Sequence, residues 1–232
     1  MFDPQEAPRV FGLPSGVDFP RALVDGLLRR TQTQPPDALA RVDLIVNTQR
    51  MARRLRMIFE DGPALLLPRI RLITDLETLA PSVIIPQGIP ALRRRLELIG
   101  LISALLEKSP DLASRASLYD LADSLAALID EMHGEGVSPD AIAKLDVTDQ
   151  SGHWERAKVF LGIVQNYLSL TEAKPDKEAR QRARVSAIAA LWTEQPPQNP
   201  IILAGSTGSR GTTMMLMQAV AKLPQGALIL PG

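Results

Sequence analysis

Between residues 1 and 89, short apolar runs alternate with stretches whose apolar residues recur at helical spacing. Val10-Phe11-Gly12-Leu13 is a strand-sized run stopped by Pro14-Ser15-Gly16. Asp18 is placed to cap a helix beginning near Pro20, a residue tolerated in the first turn, and Leu23, Val24, Leu27 and Leu28 form one stripe along it. After a loop at Pro35-Pro36, Val42-Asp43-Leu44-Ile45-Val46 has the nearly unbroken apolar character of a central strand buried on both faces. Thr48 then caps a second helix with Met51, Leu55, Ile58 and Phe59 inward, and Ala64–Leu67 is expected to be a third strand. This βαβαβ order implies a parallel sheet with right-handed crossovers.

From residue 90 the pattern becomes helical. Pro90 opens a nearly all-round apolar helix with Arg93-Arg94-Arg95 at its start. Ser117 starts another, carrying Leu118, Leu121, Leu125, Leu128 and Met132 and ending at Gly134-Glu135-Gly136. A short helix from Ser138-Pro139 with Ile142 and Leu145 follows, then a longer one with Trp154, Ala157, Phe160, Leu161, Val164, Tyr167 and Leu168. Lys174-Pro175-Asp176 restarts the chain into a last helix ending near Trp192. The Pro-rich run from Gln195 to Pro200 ends the block, and the first pattern resumes: strand Ile201-Ile202-Leu203-Ala204, loop Gly205–Gly211, helix Thr212–Lys222, strand Ala227–Leu230. The expected organisation is an α/β domain of residues 1–89 and 196–232 with a helical insertion of residues 90–195. Since a parallel strand ordinarily leads into a covering helix, a chain stopping at Pro231-Gly232 reads as a fragment.

Composition narrows the chemistry. At 232 residues, 45% hydrophobic and 22% charged, the chain can bury one large core or two small ones. Lys+Arg 26 balances Asp+Glu 26, so any attraction to nucleic acid must come from a local patch. Cys 0 excludes disulfides, thiolate zinc, iron–sulfur clusters and cysteine nucleophiles in this chain, and His 2 leaves little for a histidine metal site. The start MFDPQEAPRV has neither a basic n-region nor an apolar h-region, and no apolar run approaches membrane-spanning length, so a soluble cytoplasmic protein is expected.

Two strand–loop–helix turns fall where α/β proteins bind phosphate. At the first, Ser15 and Gly16 offer backbone amides, but the Lys of a G-x-x-x-x-G-K-[ST] loop is missing and Asp18 would repel a phosphate. The second, with Gly205, Ser206, Thr207, Gly208 and Ser209, is rich in small residues, yet Gly205 to Gly211 is one step too long and no Lys precedes Thr212. Residues 195–232 contain no Asp or Glu to hold magnesium. Each turn is either a degenerate anion site or a loop shaped for packing.

The helix after Val42–Val46 gives the strongest binding signal. Arg50, Arg53 and Arg54 stand at i, i+3 and i+4, on one face opposite Met51, Leu55 and Ile58; Arg56 could pair with Glu60. Guanidiniums at the carboxyl side of a parallel sheet suit a nucleic-acid backbone, and a solvated basic face is the alternative. Arg69, Arg71 and Arg93-Arg94-Arg95 could extend the patch. Asp120, Asp123, Asp130, Glu131 and Glu135 read as solvated helix positions, His133 and His153 as surface or capping residues, and Trp154, Phe160, Tyr167 and Trp192 as core.

These segments in order, Val10–Val17, Asn47–Arg56, Leu65–Arg71, Leu128–Met132 and Ala204–Ser209, resemble the amino-terminal part of the AddB family of alphaproteobacterial type. AddB pairs with AddA in a helicase–nuclease that resects double-strand DNA breaks. The resemblance implies a P-loop-NTPase-like sheet, similar to the first motor domain of a superfamily-one helicase, with an inserted helical subdomain. It implies that Gly12–Asp18 and Gly205–Ser209 occupy the Walker A and Walker B places without their catalytic groups. Thr48, Arg50 and Arg54 would stand where such motors contact single-stranded DNA, with Arg53, Arg69 and Arg71 as further candidates. Magnesium and a cysteine-bound iron–sulfur cluster belong to a carboxy-terminal nuclease domain that this chain lacks, so no cofactor and no catalytic residue is expected here. The expected partners are an AddA-type subunit and DNA, with no membrane. The resulting reading is a catalytically silent scaffold and DNA channel wall; the competing one is a module that docks a partner subunit without touching DNA. An active nucleotide-binding enzyme using Gly205–Thr213 is a third.

Overall fold

Residues Asp43–Val46 and Ile201–Ala204 are buried on both faces, and around these two strands the sheet is assembled. The computed structural model describes residues 1–3, 5, 7–138, 141, 162, 167 and 175–232. In chain order the elements are β1 (Val10–Gly12), α1 (Phe19–Thr31), β2 (Asp43–Val46), α2 (Gln49–Glu60), β3 (Arg69–Leu72), α3 (Ala91–Lys108), α4 (Leu118–Glu135), α5 (Lys177–Glu194), β4 (Ile201–Ala204), α6 (Gly211–Ala221) and β5 (Gly226–Leu230). The chain divides into two compact units, Met1–Ile84 with Arg184–Gly232, and Ile85–Ala183.

The first unit is α/β. Its five strands are all parallel, in the order β1-β5-β4-β2-β3. Side chains alternate across the sheet, as the strand period demands. Leu44, Val46, Ile202 and Ala204 join the core beneath α1 and α2, whereas Ile45, Ile201 and Leu203 join the core that holds Leu216, Met217 and Val220 of α6. Handedness explains the partition. α1 and α2 carry the chain towards β3, α6 carries it the other way from β4 to β5, and right-handed crossovers then place them on opposite faces. Residues 184–194, read from sequence as part of the helical block, belong to this unit, where Val185, Ile188 and Trp192 pack in the second core.

Local signals set the helix ends. The Asp18 carboxylate accepts from the Arg21 amide at 3.2 Å and the Thr48 hydroxyl from the Met51 amide at 3.2 Å, so both expected caps form. The third strand needs correcting. It runs over Arg69–Leu72, while Leu65, Leu66 and Leu67 are exposed at 41%, 58% and 37%. A sheet edge with one covered face favours alternation over a uniform apolar run. Ile70 and Leu72 pack on the core, and Arg69 and Arg71 reach back to Asp43 on β2 at 3.2 and 2.7 Å.

The second unit is helical among its described residues. Leu98, Ile102 and Leu106 of α3 pack with Ala122, Leu125, Ile129 and Met132 of α4, and Tyr167 joins them. Gly136 ends α4 in the left-handed conformation (φ 73°) that glycine adopts without penalty, and the Val137 amide closes on the Met132 carbonyl at 2.8 Å. The helices expected over Ser138–Leu145 and Trp154–Leu168 fall almost wholly outside the described residues, as does His153.

Candidate nucleic-acid interface

In an open α/β sheet, ligands enter the crevice beyond the carboxyl ends of the strands where crossover direction reverses. Here that point lies between β2 and β4, neighbours whose chains leave in opposite directions. The protein's own side chains reach across it. Asn47, just after β2, donates from Nδ2 to the Gly205 carbonyl just after β4 at 2.7 Å, tying the two loops together. The Phe19 ring packs against Gly205, 3.5 Å from where a β-carbon would be.

Both glycine turns are accommodated by positive φ. Gly16 (φ 81°) and Ser15 form an exposed turn. Next to it, Asp18 is engaged by the Arg21 amide and by the Arg54 guanidinium at 3.3 Å, which hold its carboxyl below the usual carboxylate range. A formal negative charge thus sits where a phosphate-binding loop carries Lys. Gly205 (φ 79°) and Gly208 (φ 72°) shape the second turn. Gly208 is buried, its amide turned to Ser206 Oγ at 3.4 Å, and a β-carbon there would press on Met214 and Met217. Ser206 serves that internal bond, while Thr207 and Ser209 are exposed. The second turn is therefore packed by its own helix.

The basic face of α2 stands clear of the core. Arg50, Arg53, Arg54 and Arg56 are exposed, opposite buried Ala52, Leu55, Ile58 and Phe59. Among the described residues only Arg54 of these four has an ion pair, to Asp18; Arg56 and Glu60 form none. Thr48 spends its hydroxyl on the helix cap. The sequence reading placed α1 but passed over its arginines: the helix packs beside α2 on the same sheet face and exposes Arg21, Arg29 and Arg30. The signal was present as Arg29-Arg30 in the last turn, but only the packing makes the two helices one layer. Together they carry seven arginines against Asp25 and Glu60.

The other proposed extensions are otherwise engaged. Arg69 and Arg71 are fixed on Asp43, and Arg71 also meets Thr78. Within the helical unit, Arg93 pairs with Glu97 at 2.9 Å, Arg94 with Asp130 at 2.6 Å and Arg95 with Asp123 at 2.6 Å. His133 is more than a surface residue: its Nδ1 lies 2.6 Å from the buried Asp176 carboxylate. Among the described residues no cluster of three acids or histidines could hold a metal ion, and no helix is long and apolar enough to cross a membrane. The chain matches no family model and no curated protein.

Proposed function

We propose that this chain is a catalytically silent, motor-like α/β domain that lends a basic helix layer to single-stranded DNA, in the manner of the amino-terminal part of AddB. One observation carries the reading: α1 and α2 lie side by side and expose seven arginines, of which Arg50 and Arg53 have no carboxylate partner among the described residues. Unpaired guanidiniums are free to take phosphate oxygens, and each such contact releases counterions. The five-stranded parallel sheet is compatible with a P-loop-like ancestry. The absence of the loop lysine, the Asp18 carboxylate and the Asn47–Gly205 tie all argue against nucleotide turnover.

The test is fluorescence anisotropy of labelled oligothymidine across a salt series. The native chain should bind more weakly as salt rises. R50A/R53A should lose roughly tenfold in affinity at low salt, with the log–log salt slope shallower by about 1.4, or 0.7 per lost single-strand contact. Unchanged affinity and slope would transfer support to a protein-docking role. That second reading has its own observation in the helical unit, where Leu92, Leu96 and Tyr119 are exposed at 67%, 59% and 60%.

A further inference from the structure

Between α1 and the β1–β5 side of the sheet lies a cleft of about 370 Å³, inside the size range of small-molecule sites. Phe2, Phe11, Leu23, Leu27 and Ile229 give it apolar walls, and its charged lining residues among those described are Arg29 and Arg30. The walls are fixed. Phe2 exchanges two hydrogen bonds with Gln225, at 3.1 Å through its amide and 2.9 Å through its carbonyl, and the Arg9 guanidinium lies 5.1 Å from its ring centre. Arg30 is held over Phe11 at 5.1 Å and Phe2 at 5.5 Å. Neither Arg29 nor Arg30 has a carboxylate partner among the described residues.

Gly26 supplies the second observation. It stands inside α1 without positive φ, and a β-carbon there would meet nothing within 4 Å. Glycine weakens a helix interior relative to alanine, and here neither backbone nor packing requires it. It is one of the residues lining the cleft and leaves that stretch of wall without a side chain.

We propose that this cleft binds a small carboxylic acid with an apolar body, its tail along Gly26 and its carboxylate on Arg29 and Arg30. At roughly 30 Å³ per water the volume holds about a dozen waters, so the fitting acid has about a dozen non-hydrogen atoms. A nucleobase fits poorly, because its polar edges would lie unpaired against apolar walls.

The probe is decanoate, titrated into isotope-labelled protein and followed by amide chemical shifts. Saturable shifts confined to α1, β1 and β5 are expected, with decanol binding about tenfold more weakly because it lacks the charge. Gly26→Leu, a better helix former, should fill the cleft and abolish binding. R29Q/R30Q, confined to exposed side chains, should weaken decanoate about tenfold more than it weakens decanol. Absence of saturable binding to the native chain, decanol binding as tightly as decanoate, or undiminished decanoate binding in either folded variant would overturn the proposal. Displacement of decanol, which makes no charge contact, by oligothymidine would also overturn it, by assigning the apolar cleft itself to nucleic acid. Oligothymidine binding that survives Gly26→Leu separates the cleft from the α2 arginines.

Discussion

Among the described residues of the helical unit, Asp176 is the carboxylate that joins three helices. It accepts from the Ala179 amide at 2.8 Å at the start of α5, lies 2.6 Å from His133 Nδ1 on α4, and 3.4 Å from Arg94 on α3. Burial pushes its carboxyl up, but His133, the Ala179 amide and Arg94 outweigh that and leave it below the usual carboxylate value. A carboxyl with a lowered folded-state pKa contributes stability that is present above its unfolded pKa near 4 and lost as pH falls through the folded value. Asp176→Asn should therefore cost about 3 kcal/mol at pH 7, the order expected on breaking a buried charge pair, and the difference should shrink below about pH 4. Urea unfolding midpoints of both chains between pH 3 and 7 would check this; a pH-independent difference would leave only the loss of packing. No spacing rule pairs Asp176 with His133, 43 residues earlier, so only the packing of α3, α4 and α5 could bring them together.

At the scale of elements, the apolar periodicity located most strands and helices, because burial of alternate or stripe positions is what makes each element stable. It misplaced β3. Leu65-Leu66-Leu67 is the more hydrophobic segment, yet Arg69–Leu72 pairs with β2, because an alternating edge strand can bury Ile70 and Leu72 while its arginines reach Asp43. The two alternatives differ measurably. Leu44→Ala, at a fully buried β2 position, should cost about 2–5 kcal/mol, and Leu66→Ala should stay within about 0.5 kcal/mol of the native stability, both read from chemical unfolding. A comparable loss at Leu66 would return the strand to 64–67.

For the molecule as a whole, zero formal charge conceals a segregated one, since the α1–α2 layer is strongly basic while carboxylates gather on other elements such as α4. The same sheet that supports this layer presents a switch point bridged by the Asn47–Gly205 hydrogen bond, with Phe19 packed on Gly205. The chain by itself should accordingly show no ATP hydrolysis. Millimolar ATP with magnesium should not raise its melting temperature, whereas a ligand at a hundred times its Kd would add about 2.7 kcal/mol. A nucleotide-dependent shift, or turnover lost on Gly208→Asp, would reverse this view.

The order of the described elements was written in the sequence, as were the helix caps at Asp18 and Thr48, the two glycine turns and the absence of a loop lysine. Each depends on residues within a few positions of one another, where side-chain type and spacing act directly on the backbone. The tertiary structure decided everything that joins distant residues. It set which strand lies beside which, brought Asn47 to Gly205 and Arg71 to Asp43, placed α1 against α2 as one basic layer, and opened a cleft at Gly26. Such pairings follow from the handedness of crossovers and the filling of two cores, which are properties of the whole sheet and are carried by no single segment.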